Sequence, residues 1–200
     1  MVKNVMPKVN TVRQQFDKLT EAIRLADQAA ASSDIATRLG ALVLYAGMTD
    51  FLVIQAARLV EQIILKDQLA KQIPPAFVPH EDSFFYQRKV STARILKGIR
   101  KLLPFSGTSG SPCAEAARAT QLAKTMIDRG FAFLNHRDPL LHQIGNPWHT
   151  FADVMGMVDP AIAAFRAFCE AHAAFSVAAG PYRFSPKELK HFYGPESSNS

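Results

Sequence analysis

The sequence has little of what marks the commonest enzyme and secreted-protein classes. It contains no HExxH, no CxxC, no adjacent His-Asp pair, no Walker loop and no GxSxG. Those absences remove the usual signatures of zinc hydrolases, thiol redox proteins, P-loop NTPases and serine hydrolases. Cysteine is scarce: Cys113 and Cys169 are the two present, far apart in sequence. They read as idle thiols of a cytoplasmic protein, although a single bridge between them stays open. The opening stretch, MVKNVMPKVNTVRQQF, lacks the apolar core of a signal peptide, so no secretory leader is expected. No window alternates apolar and polar residues between turn signals, so no sheet is expected. The most apolar run, LGALVLYAGMTDFLVIQAARLV, is broken by Asp50 and Arg58 with Gln55 between them. It is expected to be a buried helix and not a membrane span.

What remains is an ordinary globular composition, 48% hydrophobic and 20% charged over 200 residues, enough for one domain with a real core. The expected organisation is a single all-α domain over residues 1–193 and a disordered tail over 194–200, GPESSNS being polar and short. The formal charge of +6 permits an anionic partner, nucleic acid first.

Proline punctuates the chain. Val12, Phe16, Leu19, Ile23 and Ala26 recur at helical steps, giving a first helix within residues 10–32. The SSD at 32–34 caps a second that is expected to run from Ile35 to about Gln72, where Pro74 and Pro75 stop it. Its middle is apolar nearly all round, so it should be central. A third is expected from about Glu81 to Leu103, and a fourth from Cys113, after Ser111 and Pro112, to about Asn135. Asp138–Pro139, Asn146–Pro147 and Asp159–Pro160 repeat the cap-then-proline pattern and predict three further starts, the last leading a helix over 161–178. Ser185–Pro186 is a candidate for one more short turn. Together these predict a bundle of four or five main helices.

The chemistry-bearing stretch is NHRDPLLHQIGNPW, residues 135–148. Unlike polar groups crowd there between two proline-marked breaks. With Asp138 as N-cap and Pro139 as the first helical residue, Arg137 would lie outside the helix and be free to turn back. His142 would sit one turn in, near a helix N-terminus that favours bound phosphate. The plainer alternative makes Asp138 a cap and Arg137 its ion-pair partner. A metal site through His136, His142 and His149 is conceivable in a bundle, but the spacing is irregular and no metal is expected.

The run Arg137-Asp138-Pro139-Leu140-Leu141-His142 is Arg-x4-His with a polar residue directly after the Arg. It resembles the signature of the HEPN superfamily, all-helical domains with a metal-independent RNase motif. LVLYAGMTDFLVIQAARLVEQI also looks like the central helix of the RNA-ligase-associated members. The resemblance spans roughly residues 35–178. It implies RNA transesterification, with Arg137 stabilising charge on the phosphorus, His142 moving a proton and Asp138 orienting either. It further implies a homodimer whose two motifs build one site, no cofactor, and an antitoxin protein as a possible partner. Two other pairs fit the spacing, Arg129 with His136 and Arg166 with His172, but Gly130 and Ala167 follow those arginines, inside apolar helices. Pro139 departs from the commonest family pattern. Where some HEPN toxins carry a Tyr that a partner nucleotidyltransferase modifies, two residues after the motif His, this chain has Ile144. A catalytically silent HEPN-like interaction module would carry the same residues.

A second basic feature is Arg94, Lys97, Arg100 and Lys101, of which Arg94, Lys97 and Lys101 share one helix face. With His136 they form the candidate RNA-backbone contacts; the alternative is a solvated face. Phe84, Phe85 and Tyr86 beside Arg88 and Lys89 offer base stacking or, more simply, core.

Overall fold

The structure is a computed structural model and describes residues 12–70, 91–103, 114–143, 150–185 and 187–188. Among them are five α-helices and no strand: α1 Val12–Ala30, α2 Ile35–Ala70, α3 Thr92–Leu102, α4 Ala114–Gln143 and α5 Phe151–Ala178, followed by a short 3-10 turn at Gly180–Tyr182. The protein is all-α, as the proline punctuation and the missing strand pattern predict.

α2 is the central element, packing on α1, α3, α4 and α5. Its start is fixed by local chemistry: Asp34 accepts from the Thr37 backbone N–H at 2.8 Å, and Ser32 Oγ accepts from the Asp34 N–H at 3.1 Å. That is the N-cap arrangement, filling donors that the first turn leaves open. α2 and α5 run parallel, with contacts every six or seven residues. Arg38 pairs with Asp159, Tyr45 stacks on Phe165 with centroids 4.0 Å apart, and Leu52 meets His172. The Phe165 ring also takes Phe133 of α4 edge-on at 5.2 Å. α4 and α5 form the most extensive pairing and run antiparallel, since Phe133 meets Phe165 while Gly130 meets Phe168. Gly130 sits at a close approach: a Cβ there would lie 3.0 Å from Leu96 Cδ1 and 3.3 Å from Phe168 Cε2, so those side chains would have to give by a few tenths of an ångström.

Two expected helix starts are not starts. α4 does not end near Asn135; it continues through Pro139 to Gln143. α5 begins at Phe151 and passes through Pro160. An interior proline loses one hydrogen bond and crowds the carbonyl four residues back, at a cost of about 3 kcal/mol. Here those carbonyls belong to Asn135 and Gly156, both exposed, so water can serve them. Just beyond each proline a buried residue holds the next turn down, Leu140 in α4 and Ala161 with Ile162 in α5. The true start of α5 is a capping box: Thr150 accepts from the Asp153 N–H, and the Asp153 carboxylate accepts from the Thr150 N–H. The expected α3 start near Glu81, the loop at 105–112 and the turn at Asn146–Pro147 lie outside the described residues.

Ile35–Asp67 and Met155–Ala178 are each long and apolar enough to cross a membrane by length and composition. In the fold they are the two helices that meet along the Tyr45–Phe165 seam.

His172 is buried on that seam, and its Nε2–H donates to the Leu52 carbonyl at 3.1 Å. Burial pushes its pKa down to about 4. The unfolded chain therefore takes up a proton near pH 6.5 that the folded chain refuses until about pH 4, so stability falls as pH drops through that window. The expected loss at pH 5 is about 2 kcal/mol relative to pH 7.5. Urea unfolding at the two pH values should show it, and His172→Gln, which cannot titrate, should remove most of that difference.

Candidate nucleic-acid interface and the arginine–histidine motif

The motif lies on the last turns of α4. Arg137 is half-buried, its side chain 17% exposed, and its Nε and Nη2 both donate to Asp138 Oδ1 at 2.8 and 2.7 Å. Asp138 is therefore not an N-cap, and Arg137 does not lie outside a helix. The expected geometry, with His142 one turn inside a new helix, is replaced by one uninterrupted helix. Arg137 stands two turns after Gly130, within about 20° of the row that faces the core. That placement accounts for its partial burial. The ion pair with Asp138 is the plainer alternative in half its content: the pair exists and the cap does not.

On this helix Arg137 and His142, five residues apart, point about 140° away from each other. The backbone of His142 is helical, and its side chain lies outside the described residues. One chain does not bring the two groups to one phosphate by helix geometry alone.

The rival pairs separate on the same arithmetic. Arg166 and His172 diverge by about 120° on α5. Arg166 Nε reaches Asp27 at 3.4 Å, and His172 serves the Leu52 carbonyl. Both are occupied in holding helices together. Arg129 and His136 differ: seven apart on a continuous helix, they lie within about 20° of one face, and both are exposed. Asn135 beside them is exposed as well.

On α3, Ile95, Leu96 and Ile99 are buried while Arg94, Lys97, Arg100 and Lys101 are exposed. Ser91 precedes the helix with extended backbone and no side-chain cap bond. Arg100 leaves the stripe: it pairs with Asp128 of α4 and lies 5.0 Å over the Phe131 ring. It joins two helices, which the sequence spacing could not tell from a solvent-facing role. Arg94, Lys97 and Lys101 keep the common outward face that their spacing predicts.

Among the described residues no group of three His, Cys, Asp or Glu side chains is placed to hold a metal ion. His149, Ile144, the aromatics at 84–86 and Cys113 lie outside those residues. Cys169 is half-buried, and burial raises its thiol to about 12, so it stays a neutral packing group.

Several polar residues matter that sequence reasoning did not single out. Tyr45 donates to Asp27, and burial together with that carboxylate holds the phenol protonated. Glu61 is fully buried and Asp67 nearly so, on the otherwise largely apolar α2. Lys66 donates to the Arg183 carbonyl at 2.7 Å and lies over Phe184, while Gln62 accepts from the Phe184 N–H, fastening the segment after α5 to α2. A charged residue in an otherwise apolar helix was the available signal for Glu61 and Lys66. No protein-family model, curated protein or solved structure matches the chain.

The α3 face makes a prediction that separates its cations. If Lys97 and Lys101 touch phosphate, their double replacement by Gln should weaken RNA binding uniformly across sequences and reduce the salt slope by about two. Arg100→Gln should instead lower the melting temperature. Filter binding over a salt series and a thermal melt measure the two effects, and equal behaviour of the two variants would contradict the assignment.

Proposed function

We propose that this chain is a metal-independent RNA endonuclease of the HEPN kind, with Arg137 and His142 as its reacting groups. The observation that supports it most is the Arg137–Asp138 pair. Asp138 takes Nε and one Nη2 hydrogen, which fixes the plane of the guanidinium and leaves the remaining donors for a phosphate. An arginine so held loses little freedom when charge builds on the phosphorus, which is the kind of preorganised donor such a transition state needs. His142 then takes the proton from a ribose 2′-hydroxyl or returns one to the leaving 5′-oxygen. Because the two residues diverge on one helix, the reading requires two copies, the Arg137 of one serving the phosphate that the ribose 2′-oxygen attacks once the other copy's His142 has taken its proton. The basic face of α3 supplies backbone contacts, and a toxin or defence role with a protein antitoxin follows from the resemblance.

A second reading is favoured by that same divergence: a silent helical module that binds RNA or protein and cuts nothing. Purified protein and a structured RNA distinguish them. The nuclease reading expects cleavage that persists in EDTA and leaves a cyclic phosphate. His142→Ala and Arg137→Ala should each lower the rate on the order of 10²–10⁴-fold. Arg166→Ala should leave it unchanged. Loss with Arg129→Ala and His136→Ala alone would move the site to the other face of α4. No cleavage under any condition, with unchanged RNA binding in the His142 variant, would leave the silent module.

A further inference from the structure

The charge of the chain is not spread evenly. Residues 92–143 hold eight arginines and lysines against three acids, whereas 12–70 hold six against seven and 150–188 three against four. Most of the excess that makes the protein basic is therefore carried by α3 and α4. Pairing sharpens the contrast. Arg24, Arg38, Lys66 and Arg166, on the other helices, each have a carboxylate partner. On α3 and α4, Lys97, Lys101, Arg118, Lys124 and Arg129 are exposed, and no acid among the described residues pairs with them.

On α4 the cations form a row. At about 100° per residue, Arg118, Gln121, Thr125, Arg129, Ala132 and His136 fall within about 80° of one another, over a length of about 27 Å. All but Ala132 are exposed. Lys124 lies one turn before Asp128, on the flank that meets α3. The Arg100–Asp128 bridge stands between this row and the α3 row of Lys97 and Lys101, so the acid at the junction is already neutralised.

An extended row of free cations on rigid helices fits a polyanion whose charges are themselves fixed. A duplex presents its phosphates at set positions, so little freedom is lost when the two meet. A single strand would have to be ordered along α4, and base stacking on aromatic rings is what normally offsets that cost. Among the described residues the face has no open ring: Phe131 is half-buried, with the Arg100 guanidinium 5.0 Å over it. Neutral polar groups stand between the cations instead. Gln121 and, at the edge of the row, Asn135 are exposed amides that both donate and accept. Thr125 donates to the Gln121 carbonyl at 3.2 Å and keeps its oxygen as an acceptor. Groups of that kind suit a ribose 2′-hydroxyl, itself donor and acceptor, which DNA lacks.

We propose that the α3–α4 face binds double-helical RNA, the α4 row following the phosphates and its amide side chains reaching 2′-hydroxyls across the minor groove. The inference rests on the reading of RNA as the partner and not on cleavage, so it holds for a nuclease and for a silent module alike. Fluorescence anisotropy of the full chain in EDTA, carrying His142→Ala to keep the RNA whole, compares three probes. They are a blunt-ended RNA duplex, either of its single strands, and the DNA duplex of the same sequence. The RNA duplex should bind at least about tenfold tighter than the other two. Arg118→Gln with Arg129→Gln should reduce the salt slope for the RNA duplex by about two. Gln121→Ala with Asn135→Ala should bring the RNA duplex down to the affinity of the DNA duplex and leave the DNA duplex unchanged. All four side chains are exposed, so both double variants should melt like the parent.

A single strand bound as tightly as the duplex would overturn the proposal. So would equal affinity for the two duplexes, or a salt slope indifferent to the arginine pair. Displacement of the RNA duplex by polyglutamate as readily as by unlabelled duplex would reduce the face to a general anion-binding surface. A duplex preference without cleavage by the wild-type chain keeps this proposal and removes the nuclease reading. Cleavage without a duplex preference does the reverse, and binding of no RNA in any form overturns both.

Discussion

The parallel seam between α2 and α5 is the constraint on which the rest of the structure depends. Parallel neighbours cannot be joined by a tight turn, so the chain must leave the seam and return to it. α3 and α4 are what it builds on the way. The seam is held by one ring: Phe165 is stacked on Tyr45 and edge-on to Phe133, which ties α5 to both α2 and α4. Tyr45 extends the tie to α1 through its hydroxyl on Asp27, and Arg166 of α5 reaches the same carboxylate. Four helices thus meet within three aromatic side chains and one acid. The hydroxyl could not be buried there without an acceptor, so the Asp27 contact is a condition of the stacking and not an ornament on it.

That seam decides the geometry at the end of α4. Phe133 and Leu134 are pinned in the core, and Leu140 is buried a turn and a half further on. With both sides of Pro139 anchored, breaking the helix would expose Leu140, and burying such a side chain is worth roughly 1.5–3 kcal/mol. This is comparable to the cost of an interior proline whose orphaned carbonyl faces water. The helix therefore stays whole. Arg137 then falls on the core-facing row, and the local choice of Asp138 as partner follows from how little else that row offers a guanidinium.

The all-helical fold was legible, because apolar spacing and the lack of alternation are local properties. So was the cap of α2, where Ser32 and Asp34 act on donors within three residues. The face shared by Arg94, Lys97 and Lys101 was legible for the same reason. The continuity of α4 and α5 was not. Asp138–Pro139 and Asp159–Pro160 have the composition of helix starts, and only the burial of Leu140 and Ile162 overrides it. The Thr150–Asp153 box was readable as a pattern but was hidden behind the stronger proline signal at Asp159. Arg100 looked like one of four equivalent cations; what distinguishes it is Asp128 and Phe131, which only packing brings near. At the motif, residue identities and the Asp138 partnership could be read, while the divergence of Arg137 from His142 depends on a helix boundary, which is the least local feature of all.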